Sequence, residues 1–159
     1  MSIERVRAFF RPLGREGDIL EFPVSSATVE LAARAAGVIP ARIAKTLSFL
    51  VEDACVLVVM AGDAKVDNSK FKGFFHTKAK MLTPEQAQEM TGHGVGGVCP
   101  FANSEGVRTY LDVSMRRFDT VFPAAGSSNS AIELTCDELA EYSRCLGWID
   151  ACKGWQEEL

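Results

Sequence analysis

The chain predicts an α+β domain in which helices surround a mixed sheet, and three observations carry that reading. Ile43-Ala44-Lys45-Thr46-Leu47-Ser48-Phe49 alternates with the period of two that a strand imposes. Cys55-Val56-Leu57-Val58-Val59-Met60 is apolar without alternation, as expected of a central strand covered on both faces. Helix and strand signals then intersperse without a regular βαβ rhythm, which argues against a doubly wound sheet. At 159 residues, 47% hydrophobic and 24% charged, the chain fits one domain spanning 1–159 that buries its own core.

Each element has a local cause. Ile3 to Leu13 reads as a helix stopped near Pro12 and Gly14, and Ile19 to Phe22 as a short strand. Ser25 and Ser26 offer an N-cap to an alanine-rich helix with Glu30 in its first turn and Gly37 at its end. Pro40 restarts the chain before the Lys45 strand. Asp67-Asn68-Ser69 caps a short helix running through Phe74 and Phe75. Thr83-Pro84-Glu85-Gln86 combines a capping Thr, Pro at the first helical position and Gln at the third, with Gly92 closing the helix. Thr135-Cys136-Asp137-Glu138 repeats that logic, and Gly147 is the expected end of the last helix. Strands are expected at Gly94–Val98, Arg108–Val113, Thr120–Phe122 and Ala131–Leu134.

Lys45 is the anomaly. It shares a strand face with Ile43, Leu47 and Phe49, while Thr46 and Ser48 take the face on which a lysine would ordinarily sit. A lysine on an apolar face must snorkel, pair with an anion or do chemistry. Three loops could supply its partner. Gly94-Val95-Gly96-Gly97-Val98-Cys99-Pro100-Phe101 can bring main-chain amides to a carbonyl oxygen or an anion, and equally fits a tight turn. Pro123 through Ser130 is a small, hydroxylic run that either lines a ligand or is solvated. Ala61 through Asp67 reads more simply as an exposed turn.

Composition excludes several classes. The net charge of −4 argues against a broadly basic, non-specific nucleic-acid binder, although residues 42–80 carry +3 and residues 137–159 carry −4. Five cysteines, odd in number and without Cys-x-x-Cys, with only His76 and His93 beside them, suggest reduced thiols and no zinc centre. No Gly-x-Gly-x-x-Gly, Walker loop or Gly-x-Ser-x-Gly elbow is present, so neither a metal nor a nucleotide cofactor is expected. No apolar run has the length of a membrane span, and the N-terminus lacks a signal peptide's apolar region, so the expected compartment is the cytoplasm. Cys99 and His93 leave a thiol-hydrolase alternative open, although a six-residue separation says nothing about contact. His76 and the two tryptophans read as packing or surface groups.

Arg42-Ile43-Ala44-Lys45-Thr46-Leu47, Ala61–Lys70, Gly96-Gly97-Val98-Cys99-Pro100-Phe101, Leu111-Asp112 and Gly126–Asn129 occur in an order that resembles the YbaK family. These are free-standing relatives of the bacterial prolyl-tRNA synthetase editing domain, and the similarity runs from about Phe22 to Leu134. The resemblance implies a single, partly barrel-like mixed sheet and hydrolysis of a wrong amino acid from a mischarged tRNA, most often proline tRNA. It implies the tRNA acceptor end as partner, with prolyl-tRNA synthetase or another synthetase beside it, and no DNA, membrane or cofactor. By resemblance Lys45 matches the family lysine and Gly96, Gly97, Val98, Cys99 and Pro100 the Gly-x-x-x-Pro loop. Gly126, Ser127, Ser128 and Asn129 match the pocket wall, where many relatives carry a basic Gly-Arg-Arg-Gly-like sequence instead. Phe101 is assigned to substrate binding, and Phe22, Phe49 and Val98 are candidates for sizing an amino-acid pocket suited to alanine or cysteine. The resemblance further suggests that the substrate's ribose hydroxyl helps to activate water. A non-catalytic tRNA- or synthetase-binding module of the same fold is the alternative.

Overall fold

The computed structural model of the chain describes residues 2–94 and 96–156. Helix α1 (Ser2–Phe10) turns Val6 and Phe10 inward, one turn apart on one face, and passes into a short 3-10 turn at Arg11–Leu13. Strand β1 (Ile19–Glu21) precedes α2 (Val29–Ala36). The cap of α2 is Thr28, whose Oγ1 accepts the Leu31 amide, and not Ser25 or Ser26. Ser26 is already committed, donating its amide and hydroxyl to the Ser128 carbonyl.

The centre of the molecule is the hairpin of β2 (Ile43–Val51) and β3 (Ala54–Ala61). Its two-residue turn puts Glu52 and Asp53 at φ 50° and 64°, the left-handed pair that matches strand twist. Then follow β4 (Lys65–Val66), α3 (Asn68–Phe75) capped by Asp67, and α4 (Pro84–Thr91), which carries the Thr83/Gln86 capping box. Strand β5 (Arg108–Asp112) leads into a 3-10 turn, then β6 (Thr120–Pro123), β7 (Ser130–Ile132) and β8 (Leu134–Thr135). Helix α5 (Cys136–Ser143) has the expected capping box at Thr135 and Glu138. It ends at Arg144, which takes the left-handed cap at φ 54°, three residues before the expected Gly147. The chain continues into β9 (Trp148–Ile149) and β10 (Cys152–Lys153).

Six strands form one curled mixed sheet in the order β8-β6-β2-β3-β5-β9, with β1–β7 and β4–β10 as separate two-stranded ribbons. The β2–β6, β3–β5 and β5–β9 contacts are parallel, and β2–β3 and β6–β8 are antiparallel. The expected strand over residues 94–98 is absent among its described residues, which run as irregular chain; Val95 lies outside the described residues. Ala131–Leu134 is two strands rather than one, because the chain passes from pairing with β1 to pairing with β6.

Register Lys45↔Met60, Leu47↔Val58 and Phe49↔Val56 places Lys45 on the face of the main core. The opposite face is not the solvent side that Thr46 and Ser48 suggested. Leu57 and Cys55 line it, Leu82, Ala87 and Met90 cover it, and Ser48 is buried there. On the core face Phe71 is fully buried, 4.8 Å from the Phe49 ring and 4.5 Å from that of Phe75. No helix among the described residues is long and apolar enough to cross a membrane. In urea unfolding, Phe71→Ala is expected to destabilise the fold by about 3–5 kcal/mol, and Thr135→Ala by about 1 kcal/mol through loss of the cap alone.

Candidate functional site

Strand β2 has an edge that the sheet leaves open. One edge is paired with β3 from Ala44 to Val51. The other meets β6 only at Ile43 and Ala44, and meets the 80–82 segment from Ser48 onward. The Ser48 carbonyl accepts the Leu82 amide and the Leu50 amide donates to the Lys80 carbonyl, so even-numbered residues face this outer edge. The Ala61 amide agrees, since it bonds Ser114 Oγ at 3.1 Å rather than its cross-strand partner Ala44. Thr46 therefore aims its main-chain N–H and C=O into the gap where β2 parts from β6.

That gap is a cavity of about 280 Å³. Lys45, Thr46 and Leu47 form its floor, α2 supplies Val29 and Ala32, and Gly96, Val98, Ala124 and Ser127 close it. Lys45 is half-buried and its Nζ donates to the Gly62 carbonyl at 3.4 Å, with no ion-pair partner among the described residues. Burial lowers its pKa below the ordinary lysine value, against the smaller raising effects of Cys152, Asp63 and Glu30. Asp63 does not neutralise it, because both its carboxylate oxygens are held by Arg117, at 2.6 and 3.0 Å. Gly62 must be glycine here: a Cβ would run into the Pro40 carbonyl and Val29. Lys45 is the sole titratable side chain among the described residues lining the cavity.

The loop opposite Lys45 is divided in its roles. Gly96, at φ +81°, and Val98 line the cavity, and a Cβ on Gly96 would come within 3.3 Å of Ser128. The Gly97 amide is already given to the Gly94 carbonyl at 2.9 Å, and Pro100 has no amide to give. Cys99 and Phe101 are fully buried behind the loop, and Phe101 packs its ring against Phe9 and Phe10. Phe49 likewise belongs to the core beside Phe71 and does not size the cavity. Phe22 stands aside from it, its amide donating to the Asn129 carbonyl and its carbonyl accepting Asn129 Nδ2.

The Gly126–Asn129 wall is held by neutral hydrogen bonds. Ser127 Oγ donates to Asn129 Oδ1 at 2.9 Å and lies 2.7 Å from Ser130 Oγ. The wall also borders a second groove, about 590 Å³, with Arg5, Gln88, Gly92, Gly94 and Gly97 opposite it. Ser127 is common to both spaces. Ser130 belongs to the hydroxylic run that the sequence offered as a ligand lining, and Ser26 was expected only as a cap. Thr28 and Thr46 at the cavity carried no signal as site residues, and for Thr46 the reason is that the alternation that singles out Lys45 is blind to a strand's edges.

Cys99 and His93 do meet, with Sγ 3.7 Å from Nε2, but their chemistry is wrong for a nucleophile pair. His93 Nε2 lies 2.7 Å from the Phe101 carbonyl, which can only accept, so Nε2 carries the proton and cannot take one from the thiol. Burial lowers the His93 pKa and pushes the Cys99 thiol up to about 12. The pair instead pins the loop from behind. The described residues hold no cluster of three metal-ligating side chains.

Residues 24–142 match the profile of the aminoacyl-tRNA editing domain. The chain belongs to that family. Its sequence is 55% identical over 157 residues to the uncharacterized Bacillus subtilis protein YwhH, covering 98% of this chain and all of that one. A proline–tRNA ligase of Levilactobacillus brevis is 32% identical over 74 residues, 46% of this chain and 13% of the ligase. Among solved structures, a protein put forward as a trans-editing enzyme for prolyl tRNA synthetase superposes with TM-score 0.85 at 27% identity. The match covers 96% of this chain and 98% of that one. Iodoacetamide at pH 8 is expected to leave Cys99 unmodified in the native protein, and to alkylate it once urea unfolds the chain; peptide mass mapping reads the difference.

Proposed function

We propose that this editing domain hydrolyses the ester of a mischarged tRNA, taking proline tRNA that carries a small wrong amino acid such as alanine or cysteine. One observation carries the reading: Lys45, half-buried without a carboxylate partner among the described residues, stands in a cavity bordered by a glycine loop and an open strand edge. An aminoacyl ester is already activated, so its hydrolysis needs an oriented carbonyl, a placed water and donors for the oxyanion that develops.

In this reading the amides of Gly96 and Val98 face the ester carbonyl across the cavity, each contributing on the order of 3 kcal/mol where the geometry is met. The Thr46 amide and carbonyl, aimed into the same gap, orient the aminoacyl group by main-chain contacts that do not depend on its side chain. Lys45, as an ammonium, anchors the terminal phosphate or polarises the ester carbonyl. It is not a general base. The lining offers no carboxylate, histidine or thiolate among the described residues, so the substrate's own ribose hydroxyl is the group left to position the water and to relay its proton to the departing ribose oxygen as the ester bond breaks.

Size sets the choice of cargo. In this reading the aminoacyl side chain lies among Ala32, Ala44, Ala124, Leu47 and Val98, and a larger ring is refused there by contact with these residues rather than by the weak preference a missing methylene gives. The neutral Ser127-Ser128-Asn129 wall sets this chain apart from relatives with a basic sequence there.

The deciding assay compares deacylation of alanyl-, cysteinyl- and seryl-tRNA of proline identity. At least one is expected to be hydrolysed well above the spontaneous rate. Lys45→Ala is expected to lower kcat/KM by about 100-fold or more with unchanged thermal unfolding, while Cys99→Ala keeps its activity. Failure of the wild type on the whole panel would leave a binding module of the same fold. Loss of activity in a folded Cys99→Ala protein would restore the thiol mechanism.

A further inference from the structure

The β4–β10 ribbon contains a pairing that folding alone does not favour. Its register sets Lys65 directly opposite Lys153, and both side chains are exposed. Cross-strand partners in an antiparallel pair hold their Cβ atoms about 4.5–5.5 Å apart, and like charges so placed repel. The inward pair of the same ribbon, Val66 and Cys152, packs into the core and would hold the ribbon without any charge.

Neighbouring acids relieve the repulsion only in part. Among the described residues neither Lys65 nor Lys153 has an ion pair. Asp63 is held by Arg117, and Asp150 by Lys70 at 2.9 Å. Asp67 lies close enough to Lys153 to feel its charge, but its carboxylate accepts the Lys70 amide as the cap of α3. Lys70, paired with Asp150, also donates to the Cys152 carbonyl at 3.1 Å.

The ribbon adjoins the candidate site. The Gly62 carbonyl that receives Lys45 lies three residues before Lys65, and the charge of Lys65 reaches Lys45. Two cations without an ion pair among the described residues, on the outer face of a ribbon next to a cavity lysine, suit a polyanion that enters the cavity by one end. We infer that Lys65 and Lys153 together form a docking point for the phosphate backbone of the tRNA acceptor stem, outside the cavity that takes the aminoacyl ester. The inference rests on the tRNA reading of the site but not on its hydrolysis step. It accounts for how a chain of net charge −4 holds RNA, by leaving two adjacent ammonium groups without ion pairs among the described residues.

The test is binding of an uncharged acceptor-stem minihelix of proline tRNA, followed by fluorescence anisotropy over a range of NaCl. The wild type is expected to bind at low salt. The double variant Lys65→Glu/Lys153→Glu is expected to bind at least tenfold more weakly, with a log–log salt slope shallower by about two, roughly one per lost phosphate contact. Lys65→Arg/Lys153→Arg should bind as the wild type does. The single variant Lys65→Glu creates an opposite-charge pair across the ribbon, so its melting temperature should rise while its affinity falls, which separates docking from folding. Hydrolysis of the alanyl ester of a CCA trinucleotide should be the same for wild type and the double variant. Two results overturn the inference: a wild type that does not bind the minihelix at low salt, or a double variant with unchanged affinity and salt slope. A wild type that binds the minihelix but deacylates nothing would sink the hydrolase reading and leave the docking point standing.

Discussion

The structure turns on the pairing of one strand. Strand β2 is bonded to β3 along nearly its whole length but shares its other edge between β6 and the 80–82 segment, which do not meet. Had β6 continued alongside β2 past Ala44, Thr46 would be bonded within the sheet and the cavity would be filled. Because it departs, a main-chain donor and acceptor face a space walled mainly by small and apolar side chains, with Lys45 beside them. An open edge inside a fold is a template for a ligand that can make main-chain-like hydrogen bonds.

The surroundings keep that opening in shape. The turn at Gly62, packed against Pro40 and α2, supplies the carbonyl that holds Lys45 Nζ. Opposite, the glycine loop is bolted from behind by buried His93 on the Phe101 carbonyl and by the ring cluster of Phe9, Phe10 and Phe101. Arg5 donates to the Ala102 carbonyl at 2.6 Å, tying α1 to the loop's exit although α1 lies outside the span that matches the editing-domain profile. A loop fixed on its far side can offer its amides without reorganising when charge develops, which is the condition for oxyanion stabilisation. The same burial keeps His93 and Cys99 neutral, so neither brings a charge to the back of the glycine loop.

Local signals were legible wherever the physics spans a few residues. The capping boxes at Thr83/Gln86 and Thr135/Glu138, and the Asp67 cap, are contacts between residues three apart, and all three formed. The buried run Cys55–Met60 announced a central strand because a short, valine-rich apolar run suits a strand covered on both faces. Where a residue had two possible partners the local reading failed. Ser26 looked like a cap and is spent on Ser128, 102 residues away. Residues 94–98 looked extended, yet among those described no neighbouring strand takes them up. The two-residue strands β4, β9 and β10 carry too little pattern to be seen and exist only because a partner strand is brought alongside.

The sequence by itself determined that Lys45 lies on the core face of β2 and that a glycine loop and a hydroxylic loop follow it in order, because strand parity and backbone permissiveness are properties of neighbouring residues. It equally named Phe49 and Phe101 as binding residues, and the tertiary structure put both in the core. Only the tertiary structure decided that Thr46 faces an open edge, that Gly97 has no amide to spare while Gly96 and Val98 line the cavity, and that Lys65 stands opposite Lys153. Those facts follow from which strands meet and where they separate, and strand pairing is set by contacts between residues far apart in the chain.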